Sequence, residues 1–307
     1  MKNILLIGAE GYIGSQFYNL FNTKYNIKKI DIGWFSNKTP TVDYKHLSKN
    51  YINTFDVIIL LAGHSSVKMC DTDMISSFNN NVNNFVNLLD KINATQKLIY
   101  ASSSSVYGNT DYKVVDETYN YFEPNNYYDL TKHTIDLYSI QTNKNYYGLR
   151  FGTVNGWSPN LRNDVMINSM VYSAKENNHI KLYIKDIMRP ILGITDLCNA
   201  LCSIIDKDDA VPGIYNLASF NATSEEIANG VSNVLNIPVI EYDISKIESI
   251  TNVKLQTKAY NFAIDSKKFI NNFYFKFNDS IESITKSLLS GYNDCVKTSR
   301  NGIIRYG

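Results

Sequence analysis

The stretch Tyr128-Asp129-Leu130-Thr131-Lys132 sets a phenol and an ammonium four residues apart. On a helix, four steps of about 100° leave only about 40° between them, so both side chains stand on one face. An ammonium close to a phenol favours the phenolate, and a tyrosine drawn toward neutrality in this way can exchange a proton with a hydroxyl or a ketone. Redox chemistry on an alcohol needs such a group. Tyr127, five residues before Lys132, falls about 140° around the helix and is excluded on that ground. With 23 tyrosines in the chain the spacing alone is cheap, and its meaning depends on its setting.

Other elements must bring a cofactor and an alcohol to that pair. Apolar runs recur at Ile4–Ile7, Ile27–Ile32, Asp56–Leu61, Lys97–Ala101 and Tyr146–Phe151, with helical patterns between them. Ser76–Ile92 carries Phe78, Val82, Phe85, Leu88 and Leu89 at helical spacing, and Tyr128–Gln141 reads as a further helix. Strands buried on both faces and separated by helices predict an α/β fold with a doubly wound parallel sheet. After Phe151 the pattern loosens into shorter elements, with one helix, Ser224–Leu235, capped by a serine. The expected division is a dinucleotide-binding domain over 1–152 and a smaller mixed α/β region over 153–307, mainly for substrate, with some elements completing the first domain.

The first strand runs directly into Gly8-Ala9-Glu10-Gly11-Tyr12-Ile13-Gly14 and then a helical stretch, Ser15–Phe21. Glycines there permit a tight turn and close approach of a pyrophosphate, and the helix N-terminus offers free N–H groups. The spacing Gly-x-x-Gly-x-x-Gly differs from the commonest dinucleotide fingerprint, yet its place between strand and helix makes the sheet Rossmann-type. Asp31 ends the second strand, 17 residues after Gly14. A carboxylate at that point accepts ribose hydroxyls and repels a 2′-phosphate, which argues for NAD over NADP, with Lys38 the one nearby cation pulling the other way.

The bulk properties exclude several classes. A formal net charge of +1 gives no global pull on nucleic acid or an anionic membrane. No stretch approaches the roughly 18 apolar residues of a membrane span. Cys70, Cys198, Cys202 and Cys295 form no Cys-x-x-Cys pairs and have no histidines at ligand spacing, and His46, His64, His133 and His179 are scattered, so no metal site is expected. The cysteines read as reduced thiols of a cytoplasmic protein.

Leu61-Ala62-Gly63 follows the third strand, the fourth runs into Ala101-Ser102-Ser103-Ser104-Ser105-Val106-Tyr107-Gly108, and Tyr128 and Lys132 come next. In this order the chain resembles the extended short-chain dehydrogenase/reductase family, its nucleotide-sugar epimerases and dehydratases in particular, over nearly its whole length. The resemblance implies NAD as cofactor, a nucleotide-diphosphate sugar as substrate, and a homodimer built on helices near Asn81–Asp90 and Tyr128–Gln141. Ser103, four residues before Tyr107, would be the catalytic hydroxyl beside Tyr128, and Lys132 would hold the nicotinamide ribose. Gly8, Gly11, Tyr12, Ile13, Gly14, Asp31 and Ile32 would hold the dinucleotide, with Asp43 and Tyr44 by the adenine. Leu61, Ala62 and Gly63 would line the adenosine side, with Asn81, Ala101, Ser102 and Phe151 also at the cofactor. On the substrate side the resemblance places Ser103, Ser104, Ser105, Thr153, Arg162, Asn168 and Arg189, the last in Met188-Arg189-Pro190 as a diphosphate ligand, a task suited to its fixed donors. His64, after the third strand, is a further candidate for a sugar contact.

Dehydratases of this family usually carry an Asp-Glu pair where this chain has Ser104 and Ser105, because eliminating water needs an acid and a base beside the tyrosine. Epimerisation at carbon 4 by transient oxidation needs no such pair and fits the inventory best. A 4-keto reductase or dehydrogenase uses the same triad and is the alternative. A non-catalytic dinucleotide-binding scaffold would be expected to lose the glycines, the tyrosine or the lysine, and all three survive.

Overall fold

The computed structural model describes residues 1–34, 39, 41–120, 122–243 and 260–291. Lys38 and Cys295 lie outside the described residues. In chain order the strands are β1 (Asn3–Ile7), β2 (Asn26–Ile30), β3 (Val57–Leu60), β4 (Lys97–Ser103), β5 (Val114–Val115), β6 (Tyr146–Phe151) and β7 (Thr153–Asn155). They continue as β8 (Ile180–Leu182), β9 (Met188–Gly193), β10 (Gly213–Leu217), β11 (Phe220–Thr223), β12 (Val239–Glu241) and β13 (Ala263–Ile264).

Six of them form one parallel sheet in the order β10-β6-β4-β3-β1-β2. Alternate side chains of each strand enter different cores. Ile4, Leu6, Ile59, Ile99 and Leu149 pack on one face with Phe17, Leu197, Leu201 and Phe273. Leu5, Ile7, Ile58, Leu60, Leu98 and Tyr100 pack on the other with Phe85, Leu88 and Ile135. Burial on both faces explains why these strands read as unbroken apolar runs rather than alternating ones. β2 is shorter than expected: past Ile30 the only pairing among the described residues is a single bridge between Asp31 and Thr41.

Because β1 lies between β2 and β3, the chain leaves it toward opposite sides of the sheet, which opens a crevice at the strand ends. The carboxyl ends of β1, β2, β3 and β4 all reach that edge, carrying Gly8, Asp31, Leu61 and Ser103 with them. β10 pairs with β6 residue by residue from Gly213–Tyr147 to Leu217–Phe151, so the late Tyr215-Asn216-Leu217 segment belongs to the main sheet. A third core, including Ile167, Val171, Ile191, Ile227, Val231 and Leu288, supports the smaller region and its sheet β11-β9-β7.

Two local departures have identifiable causes. The expected helix Ser76–Ile92 is interrupted: Met74–Phe78 and Asn84–Lys91 are α-helical, and Asn79–Asn83 between them is a wider π turn. Within that turn Asn81 is buried, and its side chain accepts from the His64 backbone N–H at 2.8 Å and donates to the Thr131 hydroxyl at 3.1 Å. π turns of this kind recur at functional sites. The helix Ser224–Leu235 is capped by Thr223, not Ser224, through a capping box with Glu226. Ser224 instead turns its hydroxyl inward to the Ile187 carbonyl, at 3.3 Å. No helix among the described residues is long and apolar enough to cross a membrane.

Candidate active site

The turn after β1 is built so tightly that side chains cannot enter it. Gly8 has φ of +87°, and a Cβ there would lie 2.5 Å from the Ala62 nitrogen; a Cβ on Gly14 would lie 2.2 Å from the Gly8 carbonyl oxygen. The helix that follows, Tyr12–Phe21, starts at Gly11 with no capping side chain on its first N–H groups. Narrow backbone and uncapped amides suit a pyrophosphate. Gly8, Gly11, Tyr12, Ile13 and Gly14 line one cavity with Asp31, Ile32, Asp43 and Tyr44. Leu61, Ala62 and Gly63 close its floor from β3.

Asp31 is both a support and an acceptor. Its two oxygens receive the Glu10 N–H at 2.9 Å and the Gly33 N–H at 2.8 Å. A carboxylate offers about four acceptor sites, so each oxygen retains capacity for a ribose hydroxyl. Lys29, the nearest described lysine on β2, is committed to Glu10 at 3.0 Å. The Tyr44 hydroxyl donates to the Asn80 carbonyl at 2.9 Å, which fixes the ring in the cavity wall.

Trp34, Ser65, Ser66, Met69 and Asn80 also line this cavity, and sequence reasoning missed them. They carry no motif, Trp34 and Ser65 standing in irregular segments and Met69 and Asn80 in short helical turns, and only Trp34, one of 2 tryptophans, carried a signal by rarity. His64 is buried, with its ring edge-on to Trp34 at 5.1 Å and its Nδ1 3.3 Å from the Asn80 amide. The structure therefore sets His64 behind the cavity wall.

Ser103 closes β4, while Tyr128 and Lys132 share the helix Tyr127–Ile140, capped by Asn126 accepting from the Asp129 N–H at 2.8 Å. A buried network ties this helix to the sheet: Asp136 receives the Tyr100 hydroxyl at 3.1 Å, the Ser102 hydroxyl at 2.9 Å and Arg150 Nε at 2.8 Å. Ser102 thus serves the helix rather than the cofactor. Lys132 Nζ donates to the Ala101 carbonyl at 2.7 Å and lies 5.8 Å from the centre of the Tyr128 ring. The ammonium has three donors, so two remain for a ligand.

The electrostatics differ from the expectation of a tyrosine drawn toward neutrality. Burial pushes Tyr128 up to about 12, against the opposing effects of its hydrogen bond with Ser103 and of the Arg162 charge. Burial also pulls Lys132 down to about 8. Lys132 sits over the ring face with its nitrogen held by Ala101, and desolvation sets the direction of the phenol's shift.

The substrate-side candidates divide. Ser104 is buried and donates to the Phe151 carbonyl at 2.6 Å, which makes it a brace between strand ends instead of a sugar contact. Phe151 itself is 9% exposed and belongs to the sheet core. Asn168 is buried too: it accepts from the Gly156 N–H at 2.9 Å and donates to the Arg162 carbonyl at 2.7 Å, leaving it a structural rather than a ligand role. Thr153 is half-buried at the start of β7, its carbonyl accepting from the Asn155 side chain at 2.8 Å. Arg162, held by Asp164 at 3.0 and 2.6 Å, lines the same cavity as the glycine turn. Arg189 lies over the Phe262 ring, 5.5 Å from its centre, and burial pulls it down to about 10. Ser105 faces Asp129, to which it donates a short hydrogen bond. Among the described residues no group of histidines, cysteines and carboxylates is arranged to hold a metal.

A glycine turn at the switch point, a carboxylate at the end of β2, and Ser103 at the end of β4 facing Tyr128 and Lys132 on the helix Tyr127–Ile140 form one arrangement at the carboxyl edge of the parallel sheet. The chain belongs to the NAD-dependent epimerase/dehydratase family, whose model matches residues 4–218, and its cofactor is NAD. It is 28% identical over 233 residues to Protein CapI of Staphylococcus aureus, covering 66% of this chain and 69% of that one. Its fold is that of MoeE5 in complex with UDP-glucuronic acid and NAD, at a TM-score of 0.78 and 18% identity, over 95% of this chain and 99% of that one. It is equally that of the UDP-N-acetylglucosamine 4-epimerase from Methanobrevibacter ruminantium M1, at 0.78 and 20% identity, over 94% and 98% of the two chains.

Proposed function

We propose that this protein is an NAD-dependent nucleotide-sugar 4-epimerase that works by transient oxidation to a keto-sugar. The observation that carries the reading is the junction of Ser103, Tyr128 and Lys132 at the strand edge, with Arg162, whose charge acts on Tyr128, lining the glycine-turn cavity, and Ser104 and Ser105 at the positions where dehydratases carry an acid pair. The structural likeness to a UDP-N-acetylglucosamine 4-epimerase supports the same class.

Bound NAD supplies the hydride acceptor and donor. The protein's own residues supply the rest. The glycine turn and Asp31 hold the dinucleotide, and the two remaining donors of Lys132 suit the nicotinamide ribose. Tyr128, hydrogen-bonded to Ser103, exchanges the proton of the reacting hydroxyl, and Ser103 fixes that oxygen. Arg189, a half-buried cation on β9, is suited to the nucleotide diphosphate. Arg162, on the cavity wall, is suited to a phosphate of either ligand. The helices around Met74–Phe78 and Tyr127–Ile140 expose Met74, Ile75, Leu137 and Ile140, a surface that suits a homodimer.

The test is incubation of the purified protein and NAD with a panel of UDP-, GDP-, CDP- and dTDP-sugars, with products read by NMR. Interconversion of a pair of carbon-4 epimers without accumulation of NADH is expected. A dehydrated product, or NADH formed mole for mole with product, would replace this reading with dehydratase or dehydrogenase activity.

A further inference from the structure

Asp129, next to Tyr128 in sequence, plays no part in the chemistry described so far. It is 1% exposed, and among the described residues no cation lies within ion-pair distance of it. Its carboxylate is met by three neutral donors. Asn126 Nδ2 reaches Oδ2 at 2.7 Å, the Tyr260 hydroxyl reaches Oδ2 at 2.8 Å, and the Ser105 hydroxyl makes a short bond to Oδ1. Ser105 Oγ is in turn 2.7 Å from Ser103 Oγ, and Ser103 is hydrogen-bonded to Tyr128. A continuous line of hydroxyls therefore joins a buried carboxylate to the phenol.

Counting hydrogens fixes the direction of that line. A serine hydroxyl has one hydrogen. With Asp129 ionised, Ser105 must donate to it, so the Ser103–Ser105 contact takes the hydrogen of Ser103. Ser103 Oγ also accepts the Ser105 backbone N–H at 3.2 Å. Ser103 then has no hydrogen to offer a reacting oxygen. With Asp129 protonated, every bond reverses: the carboxylic acid donates to Ser105, Ser105 donates to Ser103, and the Ser103 hydrogen points outward.

We infer that Asp129 is the proton-holding positioning residue of this site, setting through Ser105 whether the Ser103 hydroxyl accepts from or donates to Tyr128. This rests on the reading of Ser103, Tyr128 and Lys132 given above. The step balances. The reacting O–H bond breaks as a new Tyr128 O–H bond forms; the former Tyr128 hydrogen passes to Ser103, that of Ser103 to Ser105, and that of Ser105 to Asp129. One unit of negative charge moves from Asp129 to the reacting oxygen, and the return transfer restores both. The titratable groups facing Asp129 agree with such a task. Burial raises its carboxyl above the ordinary value, and the Asp71 charge adds to the rise. Tyr260 and Tyr128 are held up to about 12 and Cys70 up to about 11 by burial, so all three stay neutral around it.

Asp129→Asn isolates this role because only one orientation of the amide pairs every neighbour. Its oxygen accepts from Asn126 and Tyr260, and its nitrogen donates to Ser105, locking the line in the outward direction. In the panel assay, with whichever sugar nucleotide the wild type turns over, kcat of the wild type should fall as the pH drops through the Asp129 titration. Asp129→Asn should lose roughly 10²-fold in kcat and lack that limb, with NAD affinity unchanged. Ser105→Ala, which removes the link without touching the carboxylate, should lack it as well, and the double variant should be no worse than Ser105→Ala. Independently of turnover, ¹³C NMR of labelled aspartates should contain a resonance absent from Asp129→Asn, titrating above the ordinary carboxylate range and displaced by Ser105→Ala. Superimposable pH profiles, or an Asp129 resonance in the ordinary range, would overturn the inference. Failure of the wild type to turn over any sugar nucleotide would sink the proposed function instead, while the NMR titration would still decide this point.

Discussion

Asn168 donates a hydrogen bond to the Tyr12 hydroxyl at 3.1 Å across 156 positions of sequence, and Tyr12 donates in turn to the Gly156 carbonyl at 2.7 Å. Ser158 adds a hydrogen bond to the Tyr12 carbonyl at 2.6 Å, and Asn160 another to the Glu10 carbonyl. The glycine turn and the loop bearing Arg162 are thus one rigid piece. Asn168→Ala should release that loop, costing about 1–3 kcal/mol in chemical denaturation because the groups it pairs are buried, and should raise the Kd for NAD measured by calorimetry. An unchanged Kd with reduced stability would restrict Asn168 to folding.

Tyr128→Phe removes the group assigned to proton exchange and leaves the ring packing. NAD affinity should change little, while kcat on the sugar nucleotide should fall by about 10² to 10⁴. Near-normal turnover would take Tyr128 out of the mechanism.

Asp31→Ala should weaken NAD far more than NADP, since the carboxylate that accepts ribose hydroxyls also repels a 2′-phosphate. A drop of about 0.5–1.5 kcal/mol in stability should accompany it, because the Glu10 and Gly33 N–H groups lose their acceptor. Equal losses for both dinucleotides would refute the ribose assignment.

Lys132 gives a pH dependence of definite sign. Burial lowers it from the ordinary 10.5 to about 8, so between those values the unfolded chain holds more protons than the folded one. Stability contributed by this site therefore rises with pH across that window, and the penalty is fully present below about 8. Lys132→Met should stabilise the protein by roughly 1–3 kcal/mol at neutral pH while abolishing turnover, and the gain should vanish toward pH 10.5. Urea denaturation at several pH values checks it; a destabilised variant at neutral pH would contradict the assigned burial cost.

Breaking the Asp136 network should be expensive. Asp136→Ala leaves Arg150 as a buried, unpaired cation and strips Tyr100 and Ser102 of their acceptor, so a loss of about 3–5 kcal/mol is expected by denaturant titration. A loss under 1 kcal/mol would mean that water reaches the guanidinium.

The sheet was legible in the sequence because its strands are buried on both faces, and Val57–Leu60 or Tyr146–Phe151 can be read from apolar runs alone. The tight turn at Gly8–Gly14 was legible because its backbone geometry admits few residue types, and the sequence spacing brought Tyr128 and Lys132 onto one helix, as the structure has them. Ser102, Ser104 and Asn168 were misread toward ligands, since a serine or asparagine serves a buried carbonyl as readily as a sugar and only three-dimensional pairing tells which. Asp129 was invisible as a participant: nothing in the spacing marks it, and its partners Ser105 and Tyr260 lie 24 and 131 positions away. The rise of Tyr128 also escaped, because spacing reports the nearness of Lys132 but not how far the phenol has been taken out of water.

β10 is made only after more than two hundred residues of chain, yet it covers the flank of β6, where Tyr147 and Leu149 are fully buried. On the ribosome the dinucleotide-binding sheet therefore waits with an open, sticky edge until that late strand emerges. A fragment ending at residue 152 would keep every glycine of the cofactor turn and still present that edge to other chains, making self-association its expected fate.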